Sequence, residues 1–141
     1  MEYVNIFGLK LTMMEDWFRK NSSSGDVKIS ENTWSFKQHL AIMNFFLKTG
    51  LEYLSGLERG KPDDSLYRNI NEISEKIALN SEKDSYNDQL KQFKINYENF
   101  LSKLKNCKNN STKNLSEYLM DQFLFFGRHF GACEEKIKQM K

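Results

Sequence analysis

Proline occurs once in this 141-residue chain and glycine only seven times. An all-β fold of this length needs many tight turns, so the shortage points to long helices instead. Histidine and cysteine occur twice each. That supply is thin for a structural zinc site, which takes four ligands, and too small for a disulfide framework. Long apolar runs are missing as well. The densest, Phe123 to Phe126, falls far short of the roughly 20 residues that cross a bilayer. No basic start followed by a continuous apolar stretch opens the chain, so no secretory leader is expected. These absences predict a soluble, cytoplasmic protein that does not engage a membrane, with its thiols reduced.

Catalytic signatures are missing too. There is no glycine-flanked serine elbow and no phosphate-binding glycine loop. Glu72 and Glu75 share a helix face, but no Glu-x-x-His accompanies them, as a di-iron carboxylate bundle would require. His129 and Cys133 stand four apart and could share a metal from one helix face, yet only His39, Cys107 or carboxylates remain to complete the shell. No metal, cofactor or catalytic residue is assigned.

What the chain does have is a globular balance, 39% hydrophobic and 28% charged, with eleven Phe and six Tyr. A chain this long buries roughly two-thirds of its unfolded surface, enough for one core built on large rings. Apolar residues recur at alternating spacings of four and three, the signature of packed amphipathic helices. The row runs Phe36, Leu40, Met43, Leu47, Gly50, Leu54, Leu57 in one segment and Leu66, Ile70, Ile73, Ile77 in the next. It continues as Tyr86, Leu90, Phe93, Tyr97, Phe100, Leu104 and then as Leu119, Phe123, Phe126, Phe130, Cys133, Ile137, Met140. Ile42, Phe46 and Tyr53 form a second row beside the first, and Tyr118 to Phe126 is apolar nearly all round, so both segments are expected near the centre. Ser81-x-x-Asp84 and Ser85-x-x-Asp88 resemble capping boxes. Pairs such as Glu15–Arg19, Asp16–Lys20, Glu72–Lys76 and Glu134–Lys138 fit helical spacing.

The fold class expected is all-α: a single domain over 1–141, as a compact antiparallel bundle of four to five amphipathic helices with a short N-terminal arm. Residues 31–141 form the core bundle, and 1–30 an arm or helix followed by a flexible Ser- and Gly-containing loop. Phe7, Leu11, Met14 and Phe18 have helical spacing, but Gly8 interrupts it and Tyr3 to Leu11 also reads as a short strand. The arm is therefore expected to dock on its own bundle or on another chain. The segments 85–105 and 114–141 are expected to form a hairpin, holding Cys107 and Cys133 too far apart to bond.

Net charge is only +2 but uneven: residues 91–114 carry six lysines against the single acid Glu98. Lys103, Lys105, Lys108 and Lys113 surround a polar turn and are candidate contacts for phosphate or for an acidic protein surface. Gly127 and Gly131, beside Arg128, continue the row of Met120 and Leu124. Without side chains they suit close approach of another helix, from within the bundle by preference, otherwise from a partner. The expected function is a non-enzymatic protein–protein interaction module, such as an accessory subunit, regulator or inhibitor of a macromolecular partner. Small helical subunits, phage-encoded inhibitors of bacterial machinery and immunity proteins are objects of this type. The alternatives are a nucleic-acid-binding accessory subunit using the 91–114 lysines, and a helical enzyme or metal protein. A homodimer through the N-terminal arm or the Gly127/Gly131 face is also compatible with the pattern.

Overall fold

A computed structural model describes residues 2–22, 34–61, 68–106 and 112–140, with the side chains of 2–4, 112–114 and 116 left aside. Five helices account for nearly all of it: α1 Glu2–Lys20, α2 Phe36–Glu58, α3 Ile70–Asn80, α4 Tyr86–Lys105 and α5 Thr112–Met140. No β-strand occurs among the described residues. Successive helices run antiparallel. His39, Phe46 and Tyr53 of α2 meet His129, Phe125 and Tyr118 of α5 in reverse order. Phe7 and Phe18 of α1 meet Phe100 and Phe93 of α4, again reversed.

Four helices form a square. α4 packs between α1 and α2, α5 packs between them on the opposite side, and α3 adds to the outer flank of α2. The wide apolar face of α2 is explained by this arrangement, since three neighbours cover it. The expected α4/α5 hairpin is corrected: these two antiparallel helices lie across the diagonal, meeting through Phe100 and Tyr118. Cys107 lies outside the described residues; Cys133 is buried.

Of the readings open for the N-terminal segment, the helix docked on its own bundle is the one observed. Residues 2–20 form one continuous helix whose Phe7, Leu11, Met14 and Phe18 are buried in the main core. Gly8 fits the helix because α4 approaches there; a Cβ would lie 3.2 Å from Leu101 Cδ1. Burying these four side chains contributes roughly 2 kcal/mol each, far more than the ~1 kcal/mol that one glycine costs a helix. Tertiary burial therefore overrides the local interruption.

Helix ends follow side-chain chemistry. Ser35 caps α2 by accepting from the Gln38 N–H, while Gln38 Oε1 accepts from the Ser35 N–H at 2.8 Å. This is a complete capping box. Ser85 caps α4 as its spacing suggests. Ser81 does not: its hydroxyl donates to the Ala78 carbonyl and the segment Ser81–Lys83 is a 3₁₀ turn. Gly60 closes α2 with φ of 72°, a left-handed conformation that glycine adopts without strain. Helices also approach closely at Gly50, where a Cβ would come within 2.6 Å of the Phe100 ring and 2.8 Å of the Tyr118 hydroxyl. The pairs Asp16–Lys20 and Glu72–Lys76 form at 2.9 and 3.8 Å, and Arg19 reaches Glu15.

Candidate functional site

Antiparallel packing of α2 on α5 brings the only two histidines of the chain together. His39 Nδ1 and His129 Nδ1 lie 2.7 Å apart, and both residues are buried. A neutral imidazole carries one proton, so one ring must be protonated on Nδ1 and the other on Nε2 for this bond to form. Trp34 stacks on His129 and meets His39 edge-on, and the Phe125 ring sits 4.6 Å from His129. This apolar wrapping disfavours charge. Burial lowers the His39 pKa to about 4. Burial, then His39 and the Arg128 guanidinium, lower that of His129 to about 3. The pair is a neutral hydrogen-bonded link between two helices. Ninety residues separate the two histidines in the sequence, and that separation hides the contact.

Neither imidazole has a nearby cluster with which to hold a metal. Among the described residues, no three His, Cys, Asp or Glu side chains converge. Cys133, one helical turn beyond His129, is fully buried and its thiol pKa is raised to about 12, by burial first and then by Glu134. A thiol held neutral in this way is a poor nucleophile and a poor ligand.

A second polar cluster ties α2 to α4. Asn96 Nδ2 donates to Asn44 Oδ1 at 3.1 Å, and Asn44 Nδ2 donates to the Gln89 backbone and side-chain oxygens at 2.8 Å each. Gln89 Nε2 in turn donates to Asp84 Oδ2. No buried side-chain nitrogen or oxygen among the described residues lacks a partner. A satisfied network of this kind fixes register between helices and leaves no group free for chemistry.

The basic candidates disperse. Lys103 is paired with Glu58 of α2 at 3.2 Å. Lys105 is exposed at the end of α4. Lys108 lies outside the described residues, and Lys113 sits in the first turn of α5 without a described side chain. A groove of about 580 Å³ between α1 and α4 carries Arg19, Lys91 and Lys94, but Glu15 and Glu98 line it too, so its charge is mixed.

The glycine pair contradicts the preferred reading. A Cβ placed at Gly127 or at Gly131 would meet nothing within 4 Å among the described residues, so none of the described helices approaches there. Met120 and Leu124, whose row the two glycines continue, are exposed. Tyr118 to Phe126 is not a fully central segment: Tyr118, Leu119, Phe125 and Phe126 are buried, but Met120 and Leu124 face outward. On α1, Ile6, Leu9 and Met13 occupy one outward shoulder at helical spacing. These five side chains are 48% to 64% exposed. The two helices are parallel neighbours, and Ile6 and Phe7 line an almost wholly apolar groove of about 200 Å³ with Leu119, Met120 and Phe123. The Lys10 ammonium lies over the Phe130 ring, 5.3 Å from its centre.

The five exposed side chains present on the order of 500 Å² of apolar surface, a size at which patches on monomers mark contact sites. The signal in the sequence was the all-round apolar character of 118–126. A helix hydrophobic on every side is either enclosed by its own fold or open to a partner, and only the packing of α1 decides between them. No helix among the described residues is long and apolar enough to cross a membrane. No protein-family model, curated protein or solved structure matches this chain, so the site stands on its own geometry.

Proposed function

We propose that this chain is a non-enzymatic protein–protein interaction module, and that the α1/α5 face is its contact surface. The observation carrying this is the continuous exposure of Ile6, Leu9, Met13, Met120 and Leu124 beside two open glycines. Covering such a face removes apolar area from water at roughly 25 cal/mol per Å². Its polar interior supports the same reading. The buried histidine pair and the Asn44 network are satisfied internally and serve packing. The nucleic-acid alternative draws less support, because Lys103 is neutralised by Glu58 and the α1/α4 groove mixes charges.

Methionine oxidation tests this without any substitution in the chain. Met13 and Met120 lie on the face, Met140 is equally exposed off it, and Met14 and Met43 are buried. Purified chain at low concentration should lose Met13, Met120 and Met140 at similar rates, with Met14 and Met43 retained. In native extract, Met13 and Met120 should be protected severalfold relative to Met140. Equal oxidation of the three exposed methionines in extract would refute the face.

A further inference from the structure

We infer that the α1/α5 face is covered by a second copy of this chain, docked about a two-fold axis with the two α5 helices antiparallel across residues 120–131. This rests on the reading of that face as a contact surface and names its occupant.

The case comes from self-complementarity. Met120 and Leu124 project from α5, while Gly127 and Gly131, continuing the same row, leave recesses with nothing within 4 Å of a would-be Cβ. A two-fold axis beside Phe125 and Phe126 sets Met120 opposite Gly131 of the other copy and Leu124 opposite its Gly127. Each helix then supplies two knobs and receives two. Isologous contacts repeat every interaction in this way.

The charges fall close to the same register, two residues, or about 3 Å along the helix, from direct opposition and within reach of an arginine side chain. Asp121 and Arg128 are both exposed and stand seven residues apart, two turns along one side of α5. Neither joins an ion pair among the described residues. The antiparallel arrangement brings Asp121 of each copy to Arg128 of the other, giving two cross-pairs around the apolar centre. One like-charge pair, Glu117 with Glu134, falls in register, about 13 Å from the crossing point at 1.5 Å per residue. At the −40° to −50° crossing typical of close helix contacts, the two helices have diverged there by roughly a further 10 Å, so this repulsion is weak.

Area sets the strength. On the order of 500 Å² of apolar surface per copy, with a polar rim, approaches the roughly 800 Å² per partner of a standard interface. Such a contact fits a reversible dimer of micromolar affinity. Ile6, Leu9 and Met13 of α1 flank the α5 crossing and widen it.

Sedimentation equilibrium of the full chain, from about 1 µM to about 500 µM, tests the proposal by bracketing that affinity. The mass should rise from one chain to two. Asp121→Arg and Arg128→Asp should each weaken association at least about tenfold by setting like charges opposite one another. Combining them should restore it, a rescue that general damage to the fold would not give. Helical circular dichroism should stay unchanged for all three variants, since both positions are exposed. A single-chain mass throughout the range, or a double variant as weak as the singles, would overturn the second copy as occupant. If the chain stays single while Met13 and Met120 remain protected in native extract, the face belongs to a different protein. If that protection also fails, the contact surface itself is refuted.

Discussion

The buried pair His39–His129 makes stability depend on pH in a way that can be worked out. In the folded chain the two pKa values lie near 4 and 3, lowered first by burial in the Trp34 and Phe125 wrapping. In the unfolded chain both return to about 6.5. The contribution is therefore fully present above pH 6.5 and is lost as pH falls, because the unfolded chain takes up protons that the folded chain refuses. Each imidazole adds a slope approaching about 1.4 kcal/mol per pH unit. At about pH 5 the loss reaches roughly 2 kcal/mol per histidine, or about 4 kcal/mol for the pair, much of a typical domain's 5–15 kcal/mol. One added proton can sit on the free Nε2 of the donating ring without touching the 2.7 Å bond. A second would place two N–H groups face to face and break it. Urea unfolding at about pH 7.5 and pH 5, compared with a His39→Leu/His129→Leu variant, measures the difference. Replacing both hydrogen-bonding partners with apolar groups of similar size is near neutral at high pH. The variant should then lose about 4 kcal/mol less than the parent on acidification. Equal losses in the two proteins, or imidazole resonances of the folded chain titrating near pH 6.5, would refute the reasoning.

Three further substitutions probe the packing. Gly50→Ala inserts a methyl group where Phe100 and Tyr118 leave no room, and should destabilise the bundle by about 1–3 kcal/mol, read from the shift in urea midpoint. The same change at Gly131 meets open space within the chain and, measured well below the concentration at which copies associate, should be neutral or stabilise α5, through the ~1 kcal/mol propensity advantage of alanine. Asn44→Leu removes the hub of the α2/α4 network and leaves Asn96 and Gln89 without their partner, costing about 1–3 kcal/mol by the same measurement.

Each helix carried its own evidence in the sequence. Phe36–Leu40–Met43–Leu47 and Tyr86–Leu90–Phe93–Tyr97 repeat at a helical period, so burial of one side is written locally. The Ser85 cap was legible for the same reason, since donor and acceptor lie three residues apart. The Ser35–Gln38 box has the same three-residue spacing and marks the start of α2.

Relations between helices were not written locally. A period fixes which side of a helix is apolar, but not which neighbour covers it. The exchange of α1 for α4 beside α5, the meeting of two histidines ninety residues apart, and the openness of Gly127 and Gly131 all depend on how the rods are set in the square. The sequence by itself determined that this chain folds as amphipathic helices around an aromatic core, because periodicity and burial act within each segment. Tertiary structure alone decided that the row through Met120 and Leu124 stays uncovered within the chain, because α1 turns its apolar side to the core it shares with α4 and α5, and no further helix among the described residues lies across that row.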